Sequence, residues 1–202
     1  MKHLVCITRC IFIGVFVVHC SMAVAQHPTR NPKFHKSIIK SFCENCTLPV
    51  DYETGLIEYT EAINSEASQQ QLRSRLYSLG SILSANDPKR ILRCDTLGGV
   101  LRMNAEVDLY GGSSFNGIKK LGVCQYLIEV QLNPKGYRYR INTFTMQGSN
   151  RRLHAYLEAL GQNVRLQTQA TYCVIEAIEG VYMEDGTYRR GIIDLIVEGM
   201  LK

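Results

Sequence analysis

The chain has 202 residues, 46% hydrophobic and 20% charged, with 23 basic and 18 acidic side chains and a formal charge of +5. Those proportions exclude a collagen-like repeat and a disordered or very highly charged chain, and they fit a globular protein. The sequence contains no internal repeat and no low-complexity tract.

In chain order, the first feature is a targeting pattern. Lys2 and Arg9 precede the apolar run Ile11 to Val18, and Ala23-Val24-Ala25 follows. This is the charged, apolar and small-residue sequence of a secretory signal over residues 1–25. Cleavage after Ala25 leaves 177 residues with 21 basic and 18 acidic groups, a formal charge of +3. The run is shorter than the ~20 residues a membrane anchor needs, and no later stretch approaches that length. No membrane span is therefore expected after cleavage. Acylation at Cys20 is the competing fate, disfavoured because bulky, polar His19 stands where a lipoprotein has a small residue.

Cys6, Cys10 and Cys20 leave with the signal. Cys43, Cys46, Cys94, Cys124 and Cys173 remain, an odd number that cannot form a complete set of internal bridges. Most of these thiols read as small hydrophobes in a core.

Residues 26–54 read as an irregular arm, with Pro28, Pro32, Pro49 and several basic residues. Residues 55–202 read as a single α+β domain. A first strand over Leu56 to Ile63 sets Ile57, Tyr59 and Ile63 on one face. A helix over Ser68 to Ser84 follows, with Leu72, Leu76, Leu79, Ile82 and Leu83 as its apolar stripe. Ser68 and Gln71 form a capping-box pattern, and Asn86-Asp87-Pro88 ends the helix.

Four strands come next. Ile91 to Asp95 is short. Gly99 to Leu109 alternates, with Leu101, Met103, Ala105, Val107 and Leu109 inward. Gly111-Gly112-Ser113-Ser114 and Asn116-Gly117 read as a flexible connection. Val123 to Leu132 turns Cys124, Tyr126, Ile128, Val130 and Leu132 inward. Asn133-Pro134-Lys135-Gly136 is a turn, making Tyr137 to Met146 a hairpin partner with Tyr137, Tyr139 and Ile141 on its apolar side. The last quarter has helical spacing at Leu153, Tyr156, Leu157 and Leu160, at Val174, Ala177, Ile178, Val181 and Tyr182, and at Ile192, Leu195, Ile196 and Met200. Asp185-Gly186 either breaks a helix or turns a hairpin. The expected order is strand, helix, four strands, helix. Each long strand has one apolar face, so the expected fold is a two-layer α+β sandwich with helices on one side of an antiparallel sheet.

Several segments are similar to a bacterial family of secreted proteins of unknown function with a TATA-box-binding-protein-like (TBP-like) fold. They are Gly55-Leu56-Ile57-Glu58-Tyr59, Leu72 to Leu79, Asp95 with Gly98-Gly99, and Gly136-Tyr137-Arg138-Tyr139-Arg140-Ile141, so the resemblance covers about residues 55–146. It implies a curved sheet with helices on its convex side, in exported proteins of the Bacteroidetes type. The expected location is thus the periplasm or cell envelope of a Gram-negative bacterium. The resemblance implies no catalytic residues and no cofactor.

The concave polar face is the leading candidate surface. Arg102, Glu106, Glu129, Arg138, Arg140 and Asn142 should project from it. Arginines there could grip a polar or anionic small ligand, a peptide or a protein. Alternatively, their charges pair across strands on a solvated sheet. Nucleic acid is excluded as a partner, because binding of the TBP kind needs apolar wedges and a strongly basic surface. Cys43-Glu44-Asn45-Cys46 is the one compact chemical motif, readable as a local disulfide, a bystander pair or a redox dithiol. No second Cys-x-x-Cys accompanies it, and of the histidines left after cleavage His27, His35 and His154 supply neither a zinc set nor a positioned base. No metal site is expected. A small thiol-disulfide or hydrolytic enzyme and a structural envelope subunit remain the alternatives to a non-enzymatic binding module.

Overall fold

The computed structural model describes residues 47–86, 91–113, 117–149, 151–161, 163–183 and 185–201, with only the backbone described for 86, 91–97 and 113. The expected signal segment, the expected arm as far as Cys46 with its Cys-x-x-Cys pair, His27 and His35, and the expected Asp87-Pro88 stop all lie outside the described residues.

Strand β1 (Tyr59–Asn64) leads into helix α1 (Gln69–Asn86), whose start is held by the expected capping box. The Ser68 amide donates to Gln71 Oε1 at 2.8 Å, and the Gln71 amide donates back to Ser68 Oγ at 3.3 Å. Leu72, Leu76, Leu79 and Leu83 are fully buried, each contributing about 1.5–3 kcal/mol against exposure. Ile82, expected in that stripe, is instead 39% exposed, because the four leucines already fill the face that meets the sheet.

Strands β2 (Ile91–Leu97), β3 (Val100–Ser113), β4 (Gly117–Asn133) and β5 (Gly136–Met146) follow. With β1 they form one antiparallel sheet in the order β1-β5-β4-β3-β2. The alternation holds: Leu101, Met103, Ala105, Val107 and Leu109 on β3, Cys124, Tyr126, Ile128 and Val130 on β4, and Tyr137, Tyr139 and Ile141 on β5 are all buried. On β5 the alternation inverts once. Thr143 has φ 57°, an unfavourable value for a β-branched residue, and marks a bulge beside which the β4 register shifts between Gln125 and Leu127. Beyond it Phe144 and Met146 return to the core.

The connection expected at Gly111-Gly112-Ser113 is corrected. All three residues belong to β3, paired with Lys119, Ile118 and Gly117; Ser114 lies outside the described residues. Strand β3 outruns β2, whose partners end at Ala105, and a helix covers the edge left over. That helix is α3 (Val164–Ile178), preceded by the short α2 (Leu153–Ala159). Asn163 caps α3, its Oδ1 accepting from the Leu166 amide at 3.2 Å. Gln169, only 3% exposed, accepts from the Gly112 amide at 2.8 Å and donates to its carbonyl at 3.3 Å. One helical turn on, Cys173 Sγ accepts from the Tyr110 amide at 3.4 Å. Glycine is required here by close approach. A Cβ on Gly111 would stand 2.8 Å from Leu121 and 2.9 Å from Leu166, and one on Gly112 would stand 2.0 Å from the Gly117 carbonyl oxygen.

The end of the chain is a second correction. Val181 and Tyr182 do not continue a helix. They lie on β6 (Gly180–Tyr182), which pairs with β7 (Tyr188–Arg190) in a hairpin before α4 (Ile192–Leu201). Gly180, at φ 83°, ends α3, and Thr187 turns back onto Asp185, its amide donating to Oδ1 at 2.9 Å. The two-layer α+β architecture therefore stands, with this hairpin added to the expected order. Helices α1 and α3 lie on the sheet and α4 lies against α1, where Arg75 Nη1 donates to the Met200 carbonyl at 3.0 Å. No helix among the described residues is long and apolar enough to cross a membrane.

Candidate functional site: the polar face at the β1–β5 margin

The face opposite the helices carries the six residues singled out from the alternation, and the register sets them in rows. One row runs Thr60, Arg140, Glu129, Arg102, Asp95 across all five strands, and charge alternates along it from β5 through β4 to β3. Arg102 Nε donates to Glu129 Oε1 at 2.7 Å, and Arg140 Nη2 donates to Glu58 Oε2 at 2.7 Å. The Glu58 carboxylate holds the Arg140 guanidinium still more firmly in its charged form. Both arginines are about half exposed, so each pair contributes a few tenths of a kcal/mol to about 1 kcal/mol. For these two arginines the cross-strand pairing reading describes the geometry.

The other candidates spread along the face. Asn142 shares a row with Leu127 and Asn104, and its Oδ1 accepts from the Thr143 hydroxyl at 2.9 Å. Glu106 lies one row further, beside Gln125 and Thr145. Arg138 lies on the opposite side of the charged row, level with Ala62 on β1 and Gln131 on β4. It is exposed and makes no ion pair with any described residue.

A depression of about 420 Å³ opens beside it, lined by Glu58, Thr60, Glu61, Ala62, Arg138 and Arg140. The structure thus brings Arg138 and Arg140 to one depression and leaves Arg102, Glu106, Glu129 and Asn142 outside its lining. Glu58, just before β1, and the β1 residues Thr60, Glu61 and Ala62 were missing from the sequence expectation. Their signal was present, since setting Ile57, Tyr59 and Ile63 inward places Glu58, Thr60 and Ala62 on the polar face; the adjacency of β1 to β5 was what alternation could not supply. Glu61 faces the other way and accepts from the Tyr139 hydroxyl at 2.9 Å; burial, and then this bond, raise that phenol's pKa.

A tight turn closes the near end of this margin. The Thr54 amide and hydroxyl donate to Asp51 Oδ1 at 2.7 and 2.6 Å, bonds that lower the Asp51 pKa. The Glu58 amide donates to the Pro49 carbonyl at 3.1 Å and Val50 bridges to Ile57, so regular structure begins within the stretch expected to be irregular.

Away from the depression, Lys120 Nζ meets Asp108 Oδ1 at 2.7 Å, a pairing that raises the lysine pKa. Burial pushes the Cys124 thiol up to about 12, which keeps it protonated and unreactive at neutral pH. Among the described residues no group of three or more His, Cys, Asp or Glu side chains is placed to hold a metal ion.

Neither a family model nor a curated protein matches the sequence. Two solved structures are similar to it. A TBP-like protein from Parabacteroides distasonis aligns at 11% identity and a TM-score of 0.47, over 76% of this chain and 96% of that one. A DUF4468 family protein from Bacteroides ovatus aligns at 14% identity and a TM-score of 0.38, over 52% of this chain and 62% of that one.

Proposed function

We infer that this is an exported, non-enzymatic binding module that takes an anionic or polar ligand on the solvent side of its sheet, at the β1–β5 margin. The observation that carries this reading is Arg138, an exposed guanidinium at the lip of a depression with no described acidic partner, while Arg102 and Arg140 are already engaged. An unengaged guanidinium can offer two parallel donors to a carboxylate or phosphate without first breaking an internal pair. The signal pattern of residues 1–25 supports export to the periplasm or cell envelope.

Calorimetric titration of the full chain with a glutamate-rich heptapeptide, citrate and inorganic phosphate tests the site. At least one anionic probe should bind and lose about tenfold in affinity on Arg138→Glu, with the melting temperature unchanged. Lys120→Glu, remote from the depression, should bind as wild type does. If Arg138→Glu binds every probe as the unaltered chain does, the site is misplaced. For location, the protein recovered from its host should begin at Gln26; a retained signal would end the export reading.

A further inference from the structure

The depression at the β1–β5 margin is bounded on one side by the edge of the sheet itself. The Glu58 amide points away from β5, toward Pro49, whereas the Ser65 amide donates to the Lys135 carbonyl on the β5 side. Alternate residues of a strand turn their backbone groups to opposite edges, so the N–H and C=O of Thr60 and Ala62 point outward. No described residue bonds them. Leu48 packs on the core, and among the described residues the edge bonds made by the 49–51 turn reach only as far as Glu58.

We propose that this edge accepts a sixth strand: an extended peptide running antiparallel to β1, with an acidic side chain opposite Ala62 and a basic one opposite Glu61. The inference rests on the polar-face reading and names its ligand class. Every pairing in the sheet is antiparallel, and a continued ladder would exchange up to four backbone hydrogen bonds at Thr60 and Ala62. Side-chain chemistry follows from the rows. A peptide residue opposite Ala62 shares the polar face with Arg138, about 10 Å away at two strand spacings. Only a methyl group stands between them, so a glutamate there can reach the guanidinium. The next peptide residue, opposite Glu61, lies on the other face beside an exposed carboxylate.

Two other occupants fit less well. Residues 26–46 carry Arg30, Lys33, Lys36 and Lys40 with Glu44 as their sole acid, the wrong charge for Arg138. A second copy paired two-fold through β1 either opposes Glu61 with Glu61 or brings both Arg138 side chains into one row. The pairing centred on Thr60 collides with the turn at Pro49.

The probe is the peptide acetyl-Thr-Val-Glu-Lys-Thr-amide, titrated into the full isotope-labelled chain while amide exchange is followed. In the free protein the Thr60 and Ala62 amides should exchange fast and those of Glu61 and Ile63 slowly. Peptide should slow Thr60 and Ala62. Exchanging its Glu and Lys should weaken binding about tenfold, and N-methylating its Glu amide should weaken it further. Ala62→Pro should abolish binding, since an outward-facing edge N–H is a position that tolerates proline. Should that variant not fold, the N-methylated peptide makes the same test on the unaltered chain. Protection of Thr60 and Ala62 before peptide is added would overturn the proposal, because the arm or a second copy would already hold the edge. Binding that needs Arg138 but ignores N-methylation would overturn strand addition and leave the polar-face reading standing. Peptide binding undiminished by Arg138→Ala would overturn both.

Discussion

Two of the stretches of this sheet that have no neighbouring strand on one side are treated in opposite ways. Where β3 runs past the end of β2, α3 supplies the missing partners: Cys173 takes the Tyr110 amide, and Gln169 takes both backbone groups of Gly112. The two side chains are four residues apart, so one helical turn spans two outward-facing strand positions. At β1 no described residue covers Thr60 and Ala62, and the guard is electrostatic, with Glu58, Glu61, Arg138 and Arg140 around the opening. Sheet proteins blunt exposed edges with charge or cover them with a helix. The contrast separates an edge closed by a helix from one that no described residue covers.

Three substitutions would break or sharpen that contrast. The largest effect belongs to Gly112→Ala, whose Cβ must displace the Gly117 carbonyl 2.0 Å away. Chemical denaturation should show a loss of about 3 kcal/mol, the upper range for overpacking. Next is Gln169→Leu, which keeps the volume of the side chain and strands the Gly112 amide and carbonyl. A loss of about 2 kcal/mol is expected, with faster exchange of the Gly112 amide. An unchanged exchange rate there would mean that α3 does not close the edge. Smallest is Glu58→Gln, which releases Arg140 and should cost under about 1 kcal/mol. A much larger loss would make the β1 margin structural rather than open.

What could be read before the structure follows the same division. Alternation on β3, β4 and β5 was legible because one face of each strand is dry, from Leu101 through Ile141, and a one-residue error would have wetted the whole set. Gly111-Gly112 misled for a physical reason. Paired glycines mark turns in sequence, yet here Gly111 admits side chains of α3 and Gly112 admits the β4 backbone, a tertiary fact absent from local composition. Val181 and Tyr182 misled by coincidence, falling on the same stripe as Val174 and Ile178; Gly180 before a valine and a tyrosine was the local hint of a strand. For the site, the polar residues of β5 were readable from period two. Their convergence with β1 depends on which strands are neighbours, and that is set by packing over the whole domain.

The bulge at Thr143 gives chain length a meaning along β5. Upstream of it, odd-numbered side chains enter the core; downstream, even-numbered ones do. Removing that single unit would straighten the strand and leave Phe144 and Met146 facing inward, whereas keeping it and flattening the bulge would turn both toward water and draw Thr145 into oil. Divergence at this spot should therefore accept loss of the extra residue, but not Thr143→Pro, since proline cannot adopt the positive φ that the bulge requires.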